Sequence, residues 1–202
     1  MIKQIGVRLF FICSSTALVS CHFKTTLHET NTYTQIDSLT ETYLNLQDSL
    51  LITWNVMVKD ENEKLKSLHT LLNNMAATSL FDKNQLTALE QRLEQVELIR
   101  FNQKTMFNQH VVEEYDFASN SLITEIVSLA ETKTSFVQKE ELKSLIEYIK
   151  IADQRVNFYR SDYDLIAQRY NLFVEKNKEQ MKEIDWNSSN EKRPLFQMAS
   201  EN

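Results

Sequence analysis

The sequence predicts an all-α fold: an antiparallel four-helix bundle with two long helices (about 34–78 and 138–184), one medium helix and one short one. Two observations carry this reading. The chain has 202 residues but one glycine and one proline, Gly6 and Pro194. Past Gly6 it lacks the residue that serves positive-φ turns, tight hairpins and phosphate-cradling loops, on which all-β and α/β folds depend. Apolar residues also recur at steps of three and four over long stretches, which places them on one face of a helix. The two longest stretches, near 65–70 Å each at about 1.5 Å per residue, match in length and are expected to lie side by side.

In the first long helix Ile36, Leu39, Tyr43, Leu46, Leu50 and Met57 keep the spacing, with Trp54 beside it. The run Lys59–Lys64 (KDENEK) then has no apolar residue, and the seam resumes at Leu65, Leu68, Leu72 and Met75. The interruption is read as a helix continuing past the end of its partners, with a hinge or binding patch as the alternative. Ser79-Leu80-Phe81-Asp82 forms a corner, with Asp82 as N-cap of the next helix. That helix carries Leu86, Leu89, Leu93 and Val96, continued less regularly by Ile99, Met106 and Val111. A kink or turn is expected over Tyr115–Asn120, then a short helix over Leu122–Ala130, closed by Thr132–Ser135.

The last helix has the clearest pattern. Leu142, Leu145, Ile149, Ala152, Val156, Tyr159, Tyr163, Ile166, Tyr170 and Phe173 alternate steps of three and four without an error. A second row, Ile151, Phe158, Leu165 and Leu172, repeats every seven residues and is expected to widen the buried face. Arg155, Asp162 and Arg169 also recur every seven residues, between the two rows. These charges, with Tyr159, Tyr163 and Tyr170 in the seam, read either as core-edge residues with solvated heads or as a strip recognising a partner helix.

The N-terminus reads as an export signal over residues 1–20. Lys3 and Arg8 precede an apolar stretch, Leu9–Val19, too short to span a bilayer comfortably. Leu18-Val19-Ser20-Cys21 resembles the lipobox of bacterial lipoproteins. That resemblance implies a diacylglyceryl group on Cys21 and cleavage just ahead of it; the alternative is an ordinary signal or uncleaved anchor with Cys21 incidental. Of the two cysteines, Cys13 lies in the segment to be removed, so the mature chain has no intramolecular disulfide to form. Two or three acyl chains anchor stably where one does not. Residues 21–33 are expected to be the lipidated cysteine and a flexible tether, or in part a frayed start of the first helix. Residues 34–184 form the bundle and 185–202 a polar tail. His22 in place of an aspartate after the cysteine favours the outer membrane.

Net charge is −6, with acids and bases interspersed, which argues against nucleic acid as a partner. His110-Val111-Val112-Glu113 is one reversed copy of the Glu-x-x-His element that di-iron bundles use twice. No metal site, cofactor, nucleophile motif or phosphate loop is predicted, and the chain reads as non-enzymatic.

Ser121–Glu131 resembles the short helix before the last long helix of the LemA family. Arg160-Ser161-Asp162-Tyr163-Asp164-Leu165-Ile166-Ala167-Gln168-Arg169-Tyr170-Asn171 is similar to that family's signature, matching at Arg160, Tyr163, Tyr170 and Asn171. Trp54 stands where the family has a first-helix tryptophan, and Lys192-Arg193-Pro194-Leu195-Phe196 resembles its closing Pro-x-Phe. The chain departs at Glu63–His69, which has neither the family's paired arginines nor its proline, at Tyr163-Asp164 instead of Tyr-Asn, and in carrying a lipobox rather than a transmembrane helix. The resemblance implies a membrane-tethered bundle facing away from the cytoplasm and brings no chemical activity. The expected function is a lipid-anchored envelope protein presenting a helical face to another envelope protein. The alternative is a carrier holding an apolar ligand in a core drawn from 11 Phe and 7 Tyr.

Overall fold

The structure is a computed structural model that describes residues 27–185 and 191–196. Among the described residues it is an all-α helical bundle with no strand: α1 (Leu27–Ala76), α2 (Lys83–Leu98), α3 (Gln109–Glu131), α4 (Thr134–Val137), α5 (Glu140–Lys176) and α6 (Lys178–Ile184). Contacts divide the chain between Thr42 and Tyr43. The first unit's described part is the opening of α1, where Thr40 and Thr42 hydroxyls donate to the carbonyls of Ile36 and Ser38. Helix therefore replaces the expected tether from Leu27 onward. Cys21 and the signal lie outside the described residues.

In the second unit α1 and α5 run antiparallel: Tyr43 lies against Tyr170, Trp54 against Tyr163 and Lys64 against Asp153. The corner after α1 is as expected, with Asp82 Oδ1 accepting the Gln85 N–H at 2.8 Å and Leu86, Leu89, Leu93 and Val96 buried on α2. His69 ties α1 to α2, its Nδ1 2.5 Å from Glu90 Oε1 and its Nε2 3.1 Å from Glu97 Oε1.

The expected break at Tyr115–Asn120 is absent, because α3 runs through it. The chain breaks earlier, over Ile99–Asn108. There Asn102 Oδ1 accepts the N–H groups of Lys104 and Thr105, both at 2.9 Å, and a 3-10 turn at Thr105–Phe107 buries Met106. Asn108 then caps α3 by accepting the His110 N–H at 3.2 Å. These are local side-chain-to-backbone bonds of the kind that make Asn compete with helix. Tyr115, Ser119, Leu122 and Ile126 point inward with helical spacing, while Phe117, read as part of an irregular stretch, is 80% exposed on the outside of a regular one.

The long last helix is interrupted twice. Gln138-Lys139 separates α4 from α5, and Asn177, whose Nδ2 donates to the Phe173 carbonyl at 2.8 Å, separates α5 from α6. Glu140 and Glu141 in the first turn of α5 and Lys176 in its last complement the helix dipole. The larger departure is rotational. The seam residues Leu142, Ile149, Ala152, Tyr163 and Tyr170 are buried as expected. The row that joins them is not Ile151, Phe158, Leu165 and Leu172, which are exposed at 43, 71, 48 and 67%. It is Ile146, Asp153, Arg160, Ala167 and Val174, on the other side of the seam and including two charges.

Two apolar clusters make the core. One joins Leu65–Met75 of α1 to α2, the second half of α3, Phe136 and the start of α5. The other joins Tyr43 and Leu50 to Met106, Val112, the second half of α5 and Met181.

Ile126 is fully buried, so Ile126→Ala is expected to cost about 2–5 kcal/mol and Phe117→Ala less than about 0.5 kcal/mol. Urea unfolding distinguishes this from a kinked α3, in which both would matter. A second expectation concerns pH. Burial opposes protonation of His69, but its bonds to Glu90 and Glu97 outweigh that and raise its pKa above the ordinary value. The stability it contributes is fully present below the unfolded-state pKa, about 6.5, and is lost as pH rises through the raised folded-state value. His69→Gln should remove this part of the dependence of melting temperature on pH above about 6.5.

Candidate functional site: a buried charged belt and a docked tail

The polar run in α1 lies inside the bundle, which corrects the expectation that it extends past its partners. Asp60, Glu61 and Lys64 are buried, Lys64 to 2% exposure. With residues of α3 and α5 they form a belt of charge. Lys64 Nζ lies 3.0 Å from Glu61 and 3.2 Å from Asp153 Oδ1. The Tyr115 hydroxyl donates to Glu61. Arg155 donates to Asp60 Oδ1 at 2.6 Å, and Arg160 forks onto both oxygens of Asp116, each at 2.6 Å.

The belt's electrostatics follow from its depth. Burial raises the Asp60 carboxyl above its usual range even though Arg155 pulls the other way. Burial and the neighbouring Glu61 push the Tyr115 hydroxyl well above its ordinary value. Burial would lower the Arg155 guanidinium, but Asp60 holds it above its usual value. A cleft of about 250 Å³ opens beside the belt, lined in part by Lys64, Ser119, Asn120, Asp153 and Arg160. Each cation in the belt sits on a carboxylate. Among the described residues no group of three or more His, Cys, Asp or Glu is placed to hold a metal ion.

The residues of the signature-like segment converge one turn further along α5, around the docked residues 191–196. Phe196 lies parallel to Trp54 at 6.4 Å between centroids and edge-on to Tyr163 at 5.6 Å and Phe101 at 5.5 Å. The Arg160 guanidinium sits 4.9 Å from the Phe196 ring. Backbone bonds fix the segment: Asn171 accepts the Arg193 N–H at 2.7 Å and donates to the Arg193 carbonyl at 2.9 Å. Asp164 accepts the Phe196 N–H at 2.8 Å. Arg193 in turn covers the Tyr170 ring at 5.2 Å. Burial, followed by Asp164, pushes the Tyr163 hydroxyl up to about 12, with Arg193 opposing. The part of the polar tail that the structure describes is therefore a packed latch.

The strip residues Arg155, Asp162, Arg169, Tyr163 and Tyr170, together with Arg160 and Asn171 of the signature-like segment as candidate interaction residues, separate into three environments. Arg155 and Arg160 join the belt, and Tyr163, Tyr170 and Asn171 hold the latch. Asp162 and Arg169 are exposed. Cys21 lies outside the described residues. Sequence reasoning missed Asp116 and Phe101, since a single acid or aromatic carries no periodic signal, and marked Asp164 only as a departure from the signature's Asn. Asp60, Glu61 and Lys64 did leave one, in the broken seam of α1.

No family model, curated protein or solved structure matches the chain.

Arg160 serves belt and latch together, and both need a planar fork. Arg160→Lys keeps the charge but loses the bidentate bond and the stacking. It should destabilise the bundle by about 2 kcal/mol and red-shift the emission of Trp54 in a variant lacking Trp186. Unchanged stability and emission would separate the latch from Arg160.

Proposed function

We propose that this chain is a lipid-anchored protein of the bacterial cell envelope, of LemA-like type, whose helical bundle works by binding another protein and not by catalysis. The observation that carries the reading is the apolar row on the outside of α5. A helix that completes its packing inside the bundle still presents Ile151, Phe158, Leu165 and Leu172 to solvent at regular seven-residue spacing. Scattered exposed apolar residues need no explanation, but an ordered stripe marks a contact surface. The LemA-like reading is supported by the meeting of Trp54, Arg160, Tyr163, Tyr170, Asn171 and Phe196 at one latch. These residues come from α1, α5 and the docked segment, and they pack against one another.

The anchor reading rests on the sequence of residues 1–21. No helix among the described residues is long and apolar enough to cross a membrane, so membrane attachment in this proposal falls to Cys21. His22 favours the outer membrane. The carrier reading gains less support: the apolar gap between Trp54, Met57, Phe101, Tyr115 and Val156 holds about 20 Å³, room for roughly one water. An apolar ligand would have to part the helices.

The test is metabolic labelling with a palmitate analogue in a bacterial host, comparing the parent chain with Cys21→Ser. The parent is expected to take up label and migrate as a processed form in the membrane fraction. Cys21→Ser should be unlabelled and remain at precursor size. Label on the variant would overturn the anchor. Affinity capture from the envelope then examines the interaction reading, which fails if the anchored form recovers no protein beyond the background of the serine variant.

A further inference from the structure

We infer that the outer face of α5 is a self-association surface, on which a second copy of this chain packs its own α5 antiparallel about a two-fold axis near Phe158. This deepens the interaction reading above and rests on it, naming the partner as the chain itself.

The row Ile151, Phe158, Leu165 and Leu172 faces away from the core, and Arg155, Asp162 and Arg169 separate it from half-buried Tyr159 and Ile166. It runs along most of a 37-residue helix, about 55 Å long. Seven-residue spacing is the spacing that lets one straight seam follow a partner helix over such a length.

The charges beside the row select the partner and the direction. Four residues after each member of the row comes Arg155, Asp162, Arg169 or Lys176, and the same flank begins with Glu141 and Tyr148. Two-fold symmetry requires that if residue i meets residue j, then j meets i. When two copies of α5 overlap along their full length in antiparallel fashion, Arg155 faces the partner's Asp162, and Glu141 faces the partner's Lys176. Each pair occurs twice. In the same register, to within one residue of rise, Phe158 meets the partner's Phe158 and Ile151 meets the partner's Leu165, so the apolar row closes on itself.

Other registers lose this match. A slip of two heptads one way sets Asp162 against the partner's Arg169, but it also sets Arg155 against the partner's Lys176 and leaves Glu141 without a partner. The same slip the other way sets Glu141 against the partner's Asp162. A parallel pair would bring Arg155 to the partner's Lys150, since such pairs join the flank after one row to the flank before it. Like charges face each other in all three. Asp60 takes one nitrogen of Arg155, and the five-donor guanidinium has others for a second carboxylate. Asp162 and Arg169 are exposed on α5.

The test is disulfide cross-linking of the full chain in membranes, with the parent, which carries no added cysteine, as background. Phe158→Cys places the two thiols about one residue, or 1.5 Å, apart along the axis. Leu172→Cys places them some 27 residues, or about 40 Å, apart, beyond any disulfide. Phe158→Cys should give at least about tenfold more homodimer than Leu172→Cys. Adding Asp162→Arg to Phe158→Cys should cut the yield by roughly fivefold through repulsion of Arg155. Glu141→Lys should weaken it less, and Glu141→Lys with Lys176→Glu should restore it.

Equal cross-linking at both positions would mean a parallel pair and overturn the proposal. Absence of cross-linking at Phe158→Cys overturns it as well. Cross-linking of Phe158→Cys to a different protein overturns self-association while leaving the broader interaction reading standing. That broader reading is lost only if the palmitate and capture experiments fail.

Discussion

The charged belt sets the rotation of α5, and much of the rest follows from that rotation. Leu142, Ile149, Val156, Tyr163 and Tyr170 could pack with an apolar row on one side or a mixed row on the other. Hydrophobicity alone favours the first, since it holds Ile151, Phe158, Leu165 and Leu172. The structure takes the second, because Asp153 and Arg160 in that row meet Lys64 of α1 and Asp116 of α3. Turning α5 the other way would leave buried Lys64 short of a carboxylate. It would also take the fork from half-exposed Asp116, and removing one of two carboxylates from a buried ammonium is costly.

Such a belt is not an efficient source of stability. Desolvation offsets most of the Coulombic gain between buried charges, and the raised pKa of Asp60 reflects that cost. What the belt supplies is selection among helix rotations of similar apolar burial. It also falls between the two apolar clusters, so the bundle has oil above and below a polar layer. The exposed row on α5 is the consequence of that choice.

The latch continues the logic at the next turn. Arg160 uses its edge on Asp116 and its face on Phe196, joining a charge pair to an aromatic stack. Asp164 and Asn171 supply the hydrogen bonds that an irregular strand needs when it docks on helices, whose own backbone groups are already used. The segment around Tyr163 and Tyr170 thus does structural work here, holding residues 191–196 against the bundle.

The amino-acid sequence by itself determined the helical class, through the near absence of glycine and the three-four spacing, and it located α1, the Asp82 cap and α2. It also placed most of the seam of α5, and in KDENEK it marked where something other than apolar packing had to occur. Tertiary structure decided what that was. Whether a charge is solvated or buried depends on whether a counter-charge arrives from another helix, and neither Asp116 nor Asp153 announces its partner along the chain. The break at Asn102–Asn108, in place of one at Tyr115, turned on local Asn bonding that periodicity does not register. The face α5 leaves outside was settled the same way, by partners distant in sequence, because hydrophobic spacing defines a stripe and only the neighbouring helices define which side of it is in.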